Sequence, residues 1–334
     1  MSDDESHRTR LGVGAGSKKK VPPLVGKTVL ARYRIESVLG SGAMGSVFRA
    51  RDLKLDRDVA IKALHDTFST DETMLARFHR EAQAAARLQH PNLISVLDVG
   101  TADNMQLMVL EYAKGPRLSD LINNKPMAPE RIIMLVRQLL AGLAHAHAAG
   151  LIHRDLKPAN VMVELGEDGT ELARIVDFGI AILRDGDEST PGGRLTETGQ
   201  ILGTPLYMAP EQAKGEAIDH RIDLFALGIV VYEMLSGTTP FTGSAIEIAL
   251  ANISKDPPPI DQRVPGITAD PLLERYARKL MARNLANRFT DATEAMRVLD
   301  LVVDDPGMAN LELGVTDVHR ASSLVSLTLP KLPK

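Results

Sequence analysis

Apolar and polar positions alternate in short runs along the first third of the chain, and this pattern predicts strands. Val, Ile, Leu and aromatic residues are concentrated in five runs, at residues 33–39, 46–50, 59–62, 93–99 and 106–111. A capping-box pattern at Ser69 opens a segment that keeps helical apolar spacing to about Gln89. We therefore expect a five-stranded antiparallel sheet with one helix between its third and fourth strands.

The rest of the chain changes to helical spacing. Residues 129–149 carry apolar side chains three and four positions apart, beginning at a proline and ending before a glycine. A very apolar helix is predicted at 220–236, and further helices near 244–253, 270–282 and 291–302. We expect a disordered N-terminal arm at 1–29 and a C-terminal tail at 304–334, around one folded region at 30–303.

Composition narrows the classes of protein that fit. The chain has 334 residues, of which 44% are hydrophobic and 25% charged, as in an ordinary globular protein. It has no cysteine, which excludes disulfides, cysteine-ligated zinc and thiol catalysis. A net charge of −4 gives no reason to expect nucleic-acid binding. No apolar run approaches the roughly 18–20 residues that span a bilayer, and no apolar signal core is found, so we expect a cytoplasmic protein without a membrane span.

Residue types that can carry chemistry are concentrated in the loop 153–160, between apolar segments at 151–152 and 161–163 that we interpret as short strands. Asp155 can accept a proton from an incoming hydroxyl group. Lys157 can neutralise negative charge that develops on a transferring group. Asn160 offers an amide oxygen to a hard metal ion such as Mg²⁺.

Two further segments suit a phosphate ligand. Residues 40–45, Gly-Ser-Gly-Ala-Met-Gly, join the first two predicted strands, and glycines let backbone amides approach phosphates closely. A lone G-x-G-x-x-G also occurs in dinucleotide-binding turns, but those need a helix after the third glycine, and a strand-like segment follows here. Lys62 ends an apolar strand, where a buried ammonium group is costly unless it has partners.

Together these segments resemble the serine/threonine protein kinases, especially their bacterial members. The matching motifs are the glycine-rich loop G-x-G-x-x-G-x-V, the strand Val-Ala-Ile-Lys, the catalytic loop His-Arg-Asp-Leu-x-x-x-Asn, the tripeptide Asp-Phe-Gly at 177–179 and Ala-Pro-Glu at 209–211. The resemblance covers residues 30–303. It implies an α+β, bilobal protein-kinase fold, with a small antiparallel β-sheet lobe at about 30–111 and a larger, mainly helical lobe at about 114–303.

The resemblance also implies roles for individual residues. The catalytic set is Asp155, Lys157, Lys62 and Glu81, in which Glu81 forms an ion pair with Lys62. The Glu111 carbonyl and the Ala113 amide would bind the adenine of ATP. The full ATP-binding set is Gly40, Ser41, Gly42, Gly45, Val47, Ala60, Lys62, Glu111, Ala113 and Met162. Asn160 and Asp177 would hold Mg²⁺, with Mn²⁺ as an alternative.

On the substrate side, the resemblance implies a protein that presents Ser or Thr. Thr204 would bond to the catalytic Asp and Lys. Thr196 and Thr198 would be activation-loop phosphorylation sites, and Arg154 would bind their phosphates. Ile182 departs from the family, which usually has a second basic residue at this position for the same phosphate.

Three points stay open at this stage. A transient homodimer would serve trans-autophosphorylation. A pseudokinase that acts as a binding scaffold and a small-molecule kinase of related fold are alternatives to an active protein kinase.

Overall fold

The computed structural model describes residues 24–42, 45–64, 72–177 and 205–314, apart from the side chains at 72–74, 77, 80 and 81. The small lobe contains β1 (Thr28–Val29), β2 (Tyr33–Ser41), β3 (Gly45–Asp52), β4 (Arg57–Leu64), α1 (Glu72–Ala86), β5 (Val96–Ala102) and β6 (Met105–Glu111). The large lobe contains α2 (Leu118–Ile122), α3 (Pro129–Ala148), β7 (Val161–Leu165), β8 (Glu171–Ile175), α4 (Pro210–Lys214), α5 (Arg221–Ser236), α6 (Ala245–Ser254), α7 (Ile260–Arg263), α8 (Pro271–Leu280), α9 (Ala292–Asp304) and α10 (Pro306–Glu312).

The small lobe is built on a six-stranded antiparallel sheet with the order β1-β2-β3-β4-β6-β5. One face of the sheet buries a core that includes Phe48, Ile61 and Leu107. On the other face, Phe78 and Ala82 of α1 pack against Leu64, Met108 and Leu110. The sheet is covered on both faces because alternate residues of a strand point to opposite sides.

Helix α5 is the buried centre of the large lobe, and nearly all its residues are inaccessible to solvent. A helix that is apolar on every side must be surrounded by protein, which matches its sequence. Gly228 allows α8 to approach closely, because a Cβ atom at this position would lie 2.7 Å from Met281 Cγ and 3.0 Å from the Ala277 carbonyl oxygen. The buried ion pair between Glu211 and Arg288, at 2.6 Å, ties α4 to the segment before α9.

The folded structure extends beyond residues 30–303 at both ends. Strand β1 adds a sixth strand to the five expected, and Leu24 and Val29 are buried in the core of the small lobe. At the other end, Ala309 of α10 and Leu313, the residue that follows this helix, are buried in the core of the large lobe. Short segments of this kind have no period long enough to be recognised in sequence, and they become ordered through tertiary packing.

The strands near the catalytic loop also differ from expectation. Residues 151–152 form no strand; Leu151 is buried in the core of the large lobe instead. Strand β7 pairs with β8 in a two-stranded antiparallel hairpin. The confirmed architecture is α+β and bilobal, with the catalytic loop between α3 and β7 on the side that faces the small lobe.

Candidate active site

The catalytic loop leads into a short 3-10 turn at Pro158–Asn160. The Lys157 ammonium group lies 2.8 Å from the Asp155 carboxylate. The Asn160 side-chain amide donates to the Asp155 carbonyl oxygen at 2.8 Å, which holds the loop backbone at this residue. The fold therefore gathers the carboxylate, the cation and the amide that the sequence singled out.

The Asp223 side chain of α5 holds the backbone of this loop in place. Its two carboxylate oxygens accept the N–H groups of His153 and Arg154, both at 2.8 Å. His147, in the last turn of α3, places Nε2 2.8 Å from the same carboxylate. Burial raises the pKa of Asp223, but the interactions with His147 and His153 together outweigh burial, so this pKa lies below its usual value. The orientation of Asp155 thus depends on an ionised carboxylate beneath the loop.

His153 links the catalytic loop to the strand end that precedes Asp177. The Val176 carbonyl can only accept, so His153 Nε2, at 2.9 Å, carries a proton, and Nδ1 accepts from the Asp155 N–H at 3.3 Å. Arg154 and Asp177 both adopt left-handed backbone conformations, with φ of 65° and 64°. Each costs on the order of 1 kcal/mol or more in a non-glycine residue, and such strain persists where surrounding contacts enforce it.

Asp177 lies beside Asn160 because the Val176 N–H donates to the Asn160 carbonyl at 2.9 Å. Lys62 Nζ reaches across from β4 and donates to Asp177 Oδ1 at 3.0 Å. Burial raises the pKa of Asp177, but the Lys62 ammonium group, together with His153 and Lys157, more than offsets burial, and the pKa is lowered overall. Asp177 is therefore a carboxylate at neutral pH, next to a lysine from the other lobe.

The donor atoms of Asn160 and Asp177 fit a hard divalent cation such as Mg²⁺, which prefers oxygen ligands. The Asn160 amide nitrogen is bonded to the Asp155 carbonyl, so its amide oxygen is the atom left to face a cation. Within the described part of the chain, no three His, Asp or Glu side chains form a metal-binding group. A cation held by these two residues would complete its shell with phosphate or water oxygens, as Mg²⁺ commonly does.

The glycine-rich hairpin joins β2 and β3 above this site. The Gly42 N–H donates to the Gly45 carbonyl at 2.8 Å, and Ser41 Oγ lies 3.0 Å from Ser46 Oγ. A Cβ atom at Gly45 would lie 2.1 Å from the Ala63 carbonyl oxygen, so only glycine permits this approach of β3 to β4. Gly40 belongs to the same hairpin, whereas positions 43 and 44 lie outside the described residues.

Beneath the hairpin, Val47, Ala60 and Lys62 share one face of the sheet. Val47 pairs with Lys62 across β3 and β4, and Ala60 and Lys62 are two residues apart on β4. Ala60 in turn pairs with Leu110, one residue before the end of β6. This face connects the hairpin to the segment between the lobes.

The connection between the lobes begins at Glu111, the last residue of β6, and includes Ala113. The Glu111 carboxylate contacts the Arg174 guanidinium group of β8. Arg174 pairs with Met162 across the β7–β8 hairpin, so their side chains lie on the same face. Of the residues predicted to contact adenine, Glu111 and Met162 therefore both neighbour Arg174.

Some predicted site residues fall outside the part of the chain that the structure describes. The ion pair of Lys62 with Glu81 stays a prediction for this reason, and the described partner of Lys62 is Asp177. The others outside the described residues are Thr196, Thr198, Thr204 and Ile182.

The roles of His147 and Arg174 were not predicted from the sequence. His147 lies six residues before His153, but nothing in that spacing indicates that both residues contact the same carboxylate, that of Asp223 in α5. Arg174 offered a weak signal, as a cation at the start of the apolar segment that leads into Asp177. Both roles depend on contacts between residues far apart in the chain.

Comparison with known proteins agrees with this geometry. The model of the protein kinase domain family matches residues 33–298. The serine/threonine-protein kinase pkn3 of Myxococcus xanthus is 43% identical over 267 residues, which cover 79% of this chain and 48% of that protein. The serine/threonine-protein kinase PknB of Mycobacterium tuberculosis is 39% identical over 303 residues, which cover 88% of this chain and 46% of that protein. The chain thus spans about half the length of the curated relatives it matches.

Among solved structures, the PknI kinase domain of Mycobacterium tuberculosis superposes with a TM-score of 0.64 at 25% identity, covering 83% of this chain and 98% of that one. The predicted resemblance to bacterial serine/threonine kinases is confirmed by these matches. Over the described residues, no helix is both long and apolar enough to cross a membrane. The cytoplasmic location stays a prediction.

Proposed function

We propose, because the chain belongs to the protein kinase domain family, that it is an ATP-dependent protein kinase acting on serine and threonine hydroxyls. The observation that carries the proposal is the convergence of Asp155, Lys157, Asn160 and Asp177, with Lys62 bonded to Asp177 from the opposite lobe. A carboxylate for the hydroxyl proton, cations for the phosphates and oxygen ligands for a metal are the parts that phosphoryl transfer needs.

In the proposed mechanism, the substrate hydroxyl oxygen bonds to the γ-phosphorus while the bond to the β,γ-bridging oxygen breaks. Asp155 accepts the hydroxyl proton, and Lys157, 2.8 Å from this carboxylate, neutralises charge on the transferring group. Lys62 positions the remaining phosphates. A divalent cation held by Asn160 and Asp177 would neutralise phosphate charge. ADP and the phosphorylated protein are the products.

Nucleotide binding is assigned to the cleft between the lobes. The hairpin glycines Gly40, Gly42 and Gly45, with Ser41, would lie over the phosphates. Val47 and Ala60 above and Met162 below would enclose the adenine ring. The Glu111 carbonyl and the Ala113 amide would bond to its edge. The folded unit is proposed to comprise residues 30–303 together with the packed segments 24–29 and 304–314.

Incubation with γ-labelled ATP, Mg²⁺ and a general protein acceptor tests the proposal, with mass-spectrometric mapping of modified residues. We expect phosphoserine and phosphothreonine, and no transfer by an Asp155→Asn variant. ATP binding without transfer would instead favour a pseudokinase scaffold. Transfer only to a small-molecule acceptor would favour the small-molecule kinase alternative. Replacement of Mg²⁺ by Mn²⁺ in the same assay tests which cation supports transfer.

We further propose that the chain autophosphorylates at Thr196 and Thr198, with Arg154 as the phosphate-binding cation. The support is the position of Arg154, whose backbone N–H is held by Asp223 directly beside Asp155. Because Ile182 replaces a second basic residue, we expect only several-fold activation. The double variant Thr196→Ala/Thr198→Ala should slow phosphorylation of a protein substrate with little change in the KM for ATP. Full activity, with no phosphate on either threonine of the wild type, would contradict this assignment.

Autophosphorylation in trans would require a transient homodimer. In that case the initial rate per molecule rises with enzyme concentration. A rate per molecule that is independent of concentration would indicate a reaction in cis.

A further inference from the structure

Arg174 of β8 is the centre of an ion-pair network beside the segment that connects the lobes. Its guanidinium group contacts the Glu111 carboxylate and lies 3.7 Å from the Glu164 carboxylate. The same group donates to the Leu93 carbonyl at 3.0 Å. Its side chain is only 14% exposed, so these contacts are shielded from solvent far more than those of a surface ion pair. A planar guanidinium group suits such multiple contacts, because its donors have a fixed geometry.

The two carboxylates hold the two ends of residues 111–114. Glu111 Oε2 accepts the Ser95 N–H at 3.2 Å, and the Glu111 N–H donates to the Ser95 carbonyl at 3.1 Å. At the other end, Glu164 Oε1 accepts the Lys114 N–H at 2.6 Å. The four-residue segment is therefore attached at its start to Ser95, the residue before β5, and at its end to Glu164 of β7, and Arg174 contacts the carboxylates at both attachments.

This ion-pair network lies next to the residues that are assigned to adenine. The Glu111 carbonyl and the Ala113 amide, both assigned to adenine, belong to the segment that the carboxylates hold. Met162, assigned to the opposite face of adenine, is the cross-strand partner of Arg174. Burial raises the pKa of Glu111, but the Ser95 N–H and Arg174 more than offset burial and lower it overall, so this carboxylate is ionised at neutral pH.

We propose that Arg174 is a positioning residue for adenine, which sets the geometry of residues 111–114 by binding Glu111 and Glu164 together. This inference rests on the proposed function, because it uses the adenine site assigned there. Arg174 itself does not touch the nucleotide. Without it, two partly buried carboxylates would face each other with no cation between them, and the segment would lose its fixed spacing.

The test compares Arg174→Met with Arg131→Met. Arg131 of α3 pairs with Glu171 at the start of the same strand, with bonds of 2.8 and 2.6 Å, so it is a matched arginine without contact to residues 111–114. Dissociation constants for adenosine and for Mg²⁺–ATP are measured by calorimetry, together with kcat, KM and thermal unfolding. Arg174→Lys serves as a second variant, which keeps the charge but lacks the planar fork.

We expect Arg174→Met to raise the dissociation constants of adenosine and ATP by the same factor, about tenfold, as loss of a charge-assisted positioning contact predicts. The kcat at saturating ATP should stay within about twofold, because catalytic residues are unchanged. Arg174→Lys should lie between this variant and the wild type, and Arg131→Met should bind adenosine like the wild type.

Equal effects of Arg174→Met and Arg131→Met on adenosine binding, or no effect of either, would overturn the inference and leave Arg174 a purely structural residue. If Arg174→Met does not fold, wild-type affinity for adenosine in Arg174→Lys, with a lowered unfolding temperature, would overturn it as well. Failure of the proposed function is seen separately, since the wild type would then bind ATP without transfer or bind no nucleotide.

Discussion

Asp155 and Asp223 are both carboxylates near the catalytic loop, but their surroundings assign them different tasks. Asp155 is about one-fifth exposed and lies against Lys157, at the surface of the cleft. Asp223 is fully buried, and its oxygens are bonded to backbone N–H groups of the loop. One carboxylate can meet a substrate hydroxyl, whereas the other can only hold the loop in place.

Asp155→Asn should lower the rate of phosphoryl transfer by at least about 100-fold, the usual contribution of a positioned general base. The dissociation constant for Mg²⁺–ATP should change little, because Asp155 serves the hydroxyl and not the nucleotide. Transfer from labelled ATP and calorimetric binding measure the two effects. Asp256→Asn, at a side chain that is 71% exposed and remote from the loop, is the control. Equal losses in binding and turnover would contradict the assignment.

Asp52 makes the stability of the small lobe sensitive to acid. The pKa of the Asp52 carboxyl group is lowered from 3.8 to about 2. The main cause is a pair of hydrogen bonds from Arg32, at 2.8 and 2.7 Å. Burial opposes this shift, and hydrogen bonds from the Lys54 and Leu55 N–H groups add to it. A carboxyl group whose pKa is lower in the folded state stabilises that state above the unfolded pKa. This contribution is lost as the pH falls through the folded pKa.

The free energy of unfolding of the wild type should therefore fall more steeply between about pH 4 and pH 2 than that of Asp52→Asn. Urea unfolding at a series of pH values measures both slopes. Asp56→Asn, at a side chain that is 89% exposed in the same hairpin, should keep the wild-type slope. Identical slopes for the wild type and Asp52→Asn would show that another group causes the loss.

At the scale of elements, helix α5 holds a loop that lies outside it, because Asp223 accepts backbone N–H groups of that loop. Its buried position lets Asp223 reach the catalytic loop, and α3 adds His147 to the same carboxylate. The loop between α3 and β7 is bonded to Asp223 through the N–H groups of His153 and Arg154, so these neighbouring helices help to set its shape. The geometry around Asp155 is in this sense a property of the packing between α3 and α5.

Asp223→Asn should impair transfer through this packing. An amide has one accepting oxygen, so one of the N–H groups of His153 and Arg154 would face an NH₂ group and stay unsatisfied. A buried unsatisfied N–H costs about 1–3 kcal/mol. We expect a lower free energy of unfolding and a kcat reduced more than ATP affinity. Asp300→Asn, at a partly exposed side chain of α9, is the control, and unchanged kcat in Asp223→Asn would refute the anchoring role.

For the whole molecule, the two ends of the folded region are held by tertiary contacts rather than by local sequence. Helix α10 buries Ala309 and Leu313, and the Glu312 carbonyl accepts from Lys279 Nζ at 2.7 Å. Arg297 adds an ion pair to the Glu312 carboxylate at 3.2 Å. Helix α10 is therefore held against α8 by Lys279 and against α9 by Arg297.

A chain that ends at Val303 should be less stable than one that ends at Gly314 by about 2–4 kcal/mol, because it exposes the apolar surface that α10 covers. Urea unfolding of the two truncated chains measures the difference. Leu313→Ala in the longer chain should reproduce part of it. Equal free energies of unfolding would place the end of the folded unit at residue 303.

Much of the site could be predicted from the sequence because its parts are short and contiguous. Asp155, Lys157 and Asn160 lie within six residues, so they are necessarily near one another, although neighbouring helices set their orientation. The glycine hairpin and the apolar helix α5 were likewise predictable, since a backbone approach demands glycine and an all-apolar helix demands burial. The antiparallel sheet and the helices that follow it were predictable from the change between strand-like and helical periods, whereas the bilobal arrangement was predicted from the resemblance to kinase motifs.

Only the tertiary structure decided which distant residues support that site. His147 lies 76 positions before Asp223 in the chain, and Arg174 lies 63 positions after Glu111, yet the two side chains of each pair are in direct contact. The extra strand β1 and helix α10 are also too short to be stable alone, so packing makes them. Hydrophobic periodicity and motif spacing report local preferences, whereas hydrogen bonds between separated elements depend on how the whole chain packs.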